Sequence, residues 1–339
     1  MRTALASESV RLGSPDLQAA CLLCDRRVSS TQDGWTPAAC FTPRIVTWEV
    51  VAMSHSVRSL LFVVALLCSS LAWAQAEKQP TRYLRFQTGS TVSYGIVEGD
   101  QVRQLAGDLF GAWTKTDKTY PLKEVKILVP TTPTQVLALA GNYKSHLGSN
   151  EIPPKLRIPQ PFFKSPSCLT PHESNIVLPK DHPGEVHYEA ELVIVIGKKC
   201  SKVSKEKALD YVLGVTCGND VSERYWQNDA ENKDIQWWRA KGSDTFGPCG
   251  PFIVSGVDYG NLQLSLRLNG EVRQKENTNL FIQDIPTTVS FISQHITLHP
   301  GDLIFTGTPG KTAAMKAGDV VEVELEHAGV LRNTVVDEQ

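Results

Sequence analysis

An α+β fold, with a small all-β leading subdomain ahead of a larger body, is predicted by three features of the sequence. Apolar and polar residues alternate from Tyr83 to Val102 around the turn signals Gly89 and Gly99-Asp100. Short apolar runs at Val136–Ala140, Leu192–Ile196 and Leu303–Phe305 each stop at glycine, threonine or polar residues, the pattern of buried strands feeding loops. A helix start follows the apolar segment Tyr211–Cys217, at Gly218-Asn219-Asp220.

The composition suits such a fold. The chain has 339 residues, 41% apolar and 21% charged, with 24 glycines and 20 prolines, which excludes a disordered or fibrous protein. Lys and Arg number 34 against 36 Asp and Glu, so there is no basic surplus to hold a phosphate backbone, and nucleic acid is excluded as a partner.

Residues 1–76 read as export machinery and what precedes it. From Met53 a short region carrying Arg58 leads into the apolar core Leu60–Leu67, then Ser69, Ser70 and the small-residue site Ala74-Gln75-Ala76. This predicts a secretory signal over 53–76. The apolar run is shorter than the roughly 20 residues a bilayer span needs, and no second one follows. The expected product is soluble and exported, periplasmic or extracellular, beginning at Glu77. Because such signals sit at an N-terminus, residues 1–52, with five arginines and no lysine, are expected to be a spurious or disordered extension upstream of the true start. Cys21 and Cys24 form a single CxxC without the second pair of a zinc site. Setting aside the six basic and five acidic residues of the first 76 leaves 263 residues with a net charge of −3, so an anionic substrate needs a local positive site. Cys168, Cys200, Cys217 and Cys249 remain; their spacing fits neither a disulfide-framed miniprotein nor a zinc ribbon, and they are expected to be buried small apolar residues.

The leading β subdomain is placed at 77–133. Pro121, Pro130 and Pro133 mark Asp117–Pro133 as a connector into the body, 134–339. The body opens with the strand Val136–Ala140, which ends in Gly141-Asn142-Tyr143-Lys144-Ser145-His146. A proline-rich loop from Pro153 to Pro161 then delivers Phe162-Phe163-Lys164-Ser165. Loops on rigid strands often carry chemistry, which makes His146 and Lys164 candidates, although each taken alone also reads as a surface residue.

In Tyr188-Glu189-Ala190-Glu191-Leu192-Val193-Ile194-Val195-Ile196-Gly197, two carboxylates open an apolar, β-branched strand. Residues two apart share a strand face, about 7 Å from one another, so Glu189 and Glu191 point the same way as Val193 and Val195. Either that end is hydrated, or a positive group such as a divalent cation offsets the desolvation. Asp220, Arg224 and Gln227 share one face if a helix begins at Asp220. Asp220 with Glu223 is also a capping-box pattern. Lys241 lies between Trp237-Trp238 and the Gly247-Pro248 turn. Near the C-terminus, Gly301–Gly310 is a buried strand running into a Thr/Gly turn with hydroxyl and backbone donors suited to an oxyanion. A hairpin from Asp319 to Val336 turns at His327-Ala328-Gly329, and the alternation of Val320–Glu326 puts its glutamates on a solvated face.

Taken in order, GNYKSH, FFKSPS, YEAELVIVIG, GNDVSERYWQ, the Trp237-Trp238-Arg239-Ala240-Lys241 segment and FTGTPG resemble the fumarylacetoacetate hydrolase family. Its members include acylpyruvate hydrolases, oxaloacetate decarboxylases and 2-hydroxyhepta-2,4-diene-1,7-dioate isomerases. The resemblance runs from Val136 to the C-terminus, with a weaker likeness over the leading subdomain. It implies a mixed β-roll with flanking helices, a homodimer, and Mg²⁺ or Mn²⁺ as cofactor. It further implies that Glu189, Glu191 and Asp220 ligate the metal, that Arg224, Gln227, Lys164 and Thr308 bind substrate, and that His146 is the general base, acting with Lys241.

That assignment is chemically coherent. Three carboxylates and a hard divalent cation leave open positions for oxygen ligands. A 2-oxo acid fills them with its carboxylate and keto oxygens, while Arg224 and Lys241 offset its charge. The cation then stabilises the enolate formed when a C–C bond breaks or a proton moves. One position departs from the family: hydrolytic and several lyase members pair the histidine with a glutamate three residues later, for water activation or proton transfer, and here that residue is Ser149. Glu151 is the nearest carboxylate able to replace it. Without such a partner, hydrolysis by water is disfavoured relative to decarboxylation or keto–enol isomerisation. The expected function is a metal-dependent enzyme acting on a small 2-oxo acid. The alternative is an exported, catalytically weak protein binding a metal–ketoacid complex.

Overall fold

The computed structural model describes residues 79–339. The expected signal at 53–76, the segment 1–52 and the pair Cys21 and Cys24 lie outside the described residues. The described chain opens with β1 (Thr81–Thr88), β2 (Thr91–Glu98), β3 (Gln101–Gly107) and β4 (Trp113–Pro121), an antiparallel meander against which β5 (Lys126–Ile127) returns. Gly89 and Gly99 turn it with φ of 57° and 65°, which glycine adopts without the clash a Cβ brings. There follow β6 (Val136–Leu139), α1 (Lys144–Leu147), β7 (Pro161–Lys164), β8 (Leu169–Thr170), β9 (Asn175–Leu178), β10 (Val186–His187), β11 (Ala190–Ile196), β12 (Val212–Asn219) and β13 (Ser222–Glu223). The rest comprises α2 (Arg224–Asn228), α3 (Trp238–Gly242), β14 (Gly247–Ser255), β15 (Gln263–Leu268), β16 (Glu271–Asn277), α4 (Ile285–Ser293), β17 (Leu303–Phe305), β18 (Val320–Leu325) and β19 (Gly329–Asp337).

Two sheets organise these elements. The larger runs β4-β3-β2-β1-β14-β12-β11-β17-β6-β7, and the smaller β16-β15-β18-β19-β9. Most neighbours are antiparallel, but β17 with β6 and β19 with β9 are parallel, so both sheets are mixed. With few and short helices this is the expected α+β architecture. No described helix is long and apolar enough to cross a membrane. Because β1 pairs with β14, the leading meander continues the sheet of the body.

Strand β11 is buried on both faces. Leu192, Ile194 and Ile196 join Leu264, Leu266, Val321 and Val323 in a core between the sheets, while Val193 and Val195 pack with Ile253, Leu303 and Phe305 on the other side. Each such side chain contributes about 1.5–3 kcal/mol when fully buried. A one-residue slip would exchange the two sets, so the register is fixed, and with it the face on which Glu191 lies.

Three sequence expectations change. Asp117–Pro121 is not a connector but the end of edge strand β4, whose polar sequence has no apolar alternation to read. The helix after β12 begins at Arg224, not Asp220, because Glu223 caps it by accepting the Trp226 N–H at 2.6 Å. Asp220 therefore stands before the helix and is not its cap. The hairpin β18–β19 turns at His327-Ala328-Gly329 as expected, with His327 at φ 66°, and Glu322 and Glu324 pair with Arg267 at 3.1 and 2.7 Å on the outer face. Cys168, Cys200, Cys217 and Cys249 are free and buried.

Candidate active site

The end of β11 is tied to the end of β12. Ala190 pairs with Asn219 and Glu191 with Gly218, the Asp220 N–H donates to the Glu189 carbonyl at 2.9 Å, and the Asn219 side chain accepts the Glu189 N–H at 2.8 Å. Gly218 allows this closeness, since a Cβ there would fall 2.3 Å from Val193 Cγ2 and 2.6 Å from the Phe305 ring. One oxygen from each of Glu189, Glu191 and Asp220 lies within 4.8 Å of the others, and all three side chains are buried.

Three cations face them. Lys241 Nζ bridges Glu189 Oε2 and Asp220 Oδ2, both at 2.7 Å. Lys164 Nζ donates to Asp220 Oδ1 at 2.6 Å, and Arg224 pairs with Glu189 Oε1. The six side chains have a formal charge of zero. Burial opposes ionisation of Glu189, but the Lys241 and Arg224 charges outweigh it and hold the carboxyl well below its ordinary value. Glu191 has no cation of its own. Burial, with the Asp220 and Glu189 charges added, pushes its carboxyl well above the ordinary range. Its Oε2 accepts the Gly307 N–H at 2.7 Å, whereas Oε1 is buried without a hydrogen-bond partner. An unsatisfied carboxylate oxygen among three hard donors fits a hard divalent cation such as Mg²⁺ or Mn²⁺.

A cavity of about 70 Å³ beside the carboxylates is lined by His146, Glu189, Arg224, Gln227, Lys241 and Thr308, with Phe162 and Trp237 among its walls. A larger chamber of about 510 Å³ adjoins it, the two sharing Ala140, Gly141, His146, Phe162 and Trp237. The outer chamber is walled mainly by apolar residues, among them Leu147, Leu156 and Pro161, and carries Lys155.

The expected site residues fall into three groups. Glu189, Glu191, Asp220, Arg224, Gln227, Lys241, His146 and Thr308 come together. Within this group Gln227 accepts from Arg224 Nη1 at 2.6 Å, so it fixes the guanidinium, which also donates to Thr312 at 2.9 Å. Lys164 stands behind Asp220 with its protons directed to that carboxylate, the Lys241 carbonyl and, at 3.2 Å, the Phe246 carbonyl, so none is left for a substrate. Glu151 is not brought to His146. It is exposed in a separate surface hollow with Ser149, whose hydroxyl accepts the Glu151 N–H at 3.1 Å. The imidazole instead meets the Gly310 carbonyl through Nδ1 at 2.8 Å. A carbonyl only accepts, so Nδ1 carries the proton, and Nε2 is the acceptor of the neutral imidazole. The Gly307 N–H, expected as an oxyanion donor, is engaged by Glu191.

Residues that sequence reasoning missed hold the loops. Asn142 donates to the Gln283 and Thr306 carbonyls at 3.0 and 2.8 Å and accepts the Gln283 N–H at 2.7 Å. Gln274 reaches in from β16, a strand with no apolar pattern. The only signal for Asn142 was its place within the polar cluster after β6.

A family model described as fumarylacetoacetate (FAA) hydrolase C-terminal matches residues 135–336, and one described as Rv2993c-like, N-terminal matches residues 81–130. The mitochondrial oxaloacetate tautomerase FAHD2A of Bos taurus is 39% identical over 228 residues, 64% of this chain and 71% of that protein. The crystal structure of 2-hydroxyhepta-2,4-diene-1,7-dioate isomerase from Mycobacterium marinum is 37% identical with a TM-score of 0.69, covering 76% of this chain and 99% of that one. Maleylpyruvate hydrolase from Sphingobium sp. SYK-6, solved with manganese(II) and pyruvate, is 29% identical with a TM-score of 0.63, covering 76% of this chain and all of that one, 100%.

Proposed function

The chain belongs to the fumarylacetoacetate hydrolase family of enzymes, and from that premise we propose that it moves a proton or cleaves a C–C bond next to the keto group of a small 2-oxo acid, with Mg²⁺ or Mn²⁺ held by Glu189, Glu191 and Asp220. The observation that carries this reading is the unpartnered Glu191 Oε1 within a buried carboxylate trio that borders a basic cavity. Once bound, the cation would supply positive charge at the keto oxygen as the enolate develops. The formal charge of the site then becomes +2, the complement of a 2-oxo acid enolate with one carboxylate and one oxyanion.

The side chains divide the remaining work. Arg224, held by Glu189, Gln227 and Thr312, faces the cavity with donors suited to the substrate carboxylate. Lys241 is fixed by Glu189 and Asp220 at the same wall. His146 Nε2 is the free lone pair in the cavity lining and takes the proton from the carbon next to the keto group. Its partner is an uncharged carbonyl, which orients the ring without stabilising an imidazolium as a carboxylate does. Keto–enol isomerisation and decarboxylation are therefore favoured over attack by water. The adjoining chamber takes the distal end of the substrate.

The test is turnover by the chain from Glu77 onward with Mg²⁺ or Mn²⁺, on oxaloacetate, acylpyruvates and a hydroxymuconate-type dienol, followed by loss of enol absorbance and by product analysis. Proton exchange or decarboxylation is expected. Bound metal without turnover of any substrate would leave the metal–ketoacid-binding alternative. Export and a homodimeric state belong to the same proposal. Sequencing of the native N-terminus is expected to start at Glu77, and recovery of peptides from residues 1–52 would refute export; sedimentation checks the dimer.

A further inference from the structure

Strand β16 is an edge strand with four of its seven residues exposed and two half-buried; only Gln274 is buried, at 3% exposure. Its side chain leaves the smaller sheet and ends at the active site. There Oε1 accepts the N–H of Ala190, the residue between the two glutamates, at 3.0 Å, while Nε2 donates to Thr308 Oγ1 at 2.9 Å and to the Pro309 carbonyl. The direction of the amide is dictated by its partners, because a backbone N–H only donates and a carbonyl only accepts. Both amide protons are thereby assigned, one of them to the Thr308 hydroxyl.

That fixes the state of Thr308. Its oxygen is an acceptor toward Gln274, and an amide nitrogen offers no lone pair in return, so the hydroxyl proton has to go elsewhere. Thr308 lines the inner cavity beside Glu189, Arg224 and Lys241. We propose that Gln274 is a positioning residue that turns the Thr308 hydroxyl into a donor aimed at the carboxylate of the bound 2-oxo acid. The proposal rests on the 2-oxo acid reading of the site. It also explains why a buried, polar, fully hydrogen-bonded side chain sits in an edge strand whose other residues are exposed or half-buried.

The test is a double-mutant cycle between Gln274 and Thr308 at saturating Mn²⁺. It is read as KM against kcat for whichever 2-oxo acid is turned over, and as calorimetric affinity for oxalate, an inert mimic of the enolate. Gln274→Met and Thr308→Val are each expected to weaken oxalate binding and raise KM about tenfold or more, the loss of one hydrogen bond to a charged group, with a smaller change in kcat. In the Thr308→Val background, Gln274→Met should cost nothing further, and Thr308→Ser should restore both binding and the sensitivity to residue 274. Should Gln274→Met fail to fold, Gln274→Glu retains the shape and still accepts from Ala190, but offers Thr308 an acceptor and draws its proton away from the cavity. Equal losses from Gln274 variants in both backgrounds, or none in the parent, would overturn the positioning role. Wild-type protein that neither turns over a 2-oxo acid nor binds oxalate would instead sink the functional reading on which it rests.

Discussion

Glu191 bears the greatest electrostatic cost in the site, being the one buried carboxylate of the three without a cation in contact. Glu191→Gln keeps an acceptor for the Gly307 N–H and removes the charge. Mn²⁺ affinity is expected to fall at least about tenfold in a calorimetric titration, while the melting temperature holds or rises, because a desolvated charge has been deleted. Lys164→Met should do the reverse. It leaves Asp220 with Lys241 alone, and breaking a buried pair costs about 3–5 kcal/mol, readable as a lower urea midpoint. At this scale the sequence was informative where a short period carries the message. Two glutamates two apart on an apolar strand reveal a shared face. The spacing cannot show that all the protons of Lys164 are taken up inside the protein, nor that Gln274 crosses from another sheet, because both depend on contacts between residues dozens of positions apart.

The elements show how local signals compete. Asp220 with Glu223 reads as a capping box, yet Glu223 itself takes the cap, which releases Asp220 for the carboxylate trio. A five-residue helix has too few turns for periodicity to locate its start. Helix α4 behaves more simply. Asp284 caps it by accepting the Thr287 N–H at 2.7 Å and meets Lys205 at 2.8 Å. Burial opposes ionisation of Asp284, but the hydrogen bonds from Lys205 and Thr287 prevail and hold its carboxyl below the ordinary value. A lowered folded value means the stabilisation is complete above the unfolded aspartate range, near pH 3.9, and disappears as pH falls through the folded value. Asp284→Ala should therefore cost about 1 kcal/mol near neutrality, and the gap between variant and parent should close as melts are taken to acid pH. A gap independent of pH would show that the charge is irrelevant.

For the whole molecule, the meander β1–β4 shares a continuous sheet with the strands that carry the site. The chain reads as two regions because the alternation stops after Val102, but the antiparallel pairing of β1 with β14, with Thr81 opposite Ser255 and Tyr83 opposite Ile253, joins them in a register that no single segment encodes. Removing residues before 134 would bare the β14 edge and the apolar face of Val193, Val195 and Phe305. A 134–339 fragment is expected to aggregate or to expose dye-binding surface, and a monodisperse fragment with native near-ultraviolet dichroism would contradict that. The order of strands, with β17 inserted beside β6, likewise lay beyond sequence pattern, whereas the strands themselves were largely visible.

The balance among Glu189, Glu191, Asp220, Lys164, Arg224 and Lys241 has one last consequence. Because positive and negative side chains already offset one another, the proposed ion would be a guest in this architecture and not its keystone, unlike the zinc of a small finger, whose departure unravels the chain. Chelation with EDTA should silence turnover yet shift the melting temperature by only a few degrees, and re-added Mg²⁺ or Mn²⁺ should restore activity within mixing time. On the proposed metal-dependent reading, that self-sufficiency would leave a pool of folded, dormant molecules, awakened by whatever ion the surroundings supply.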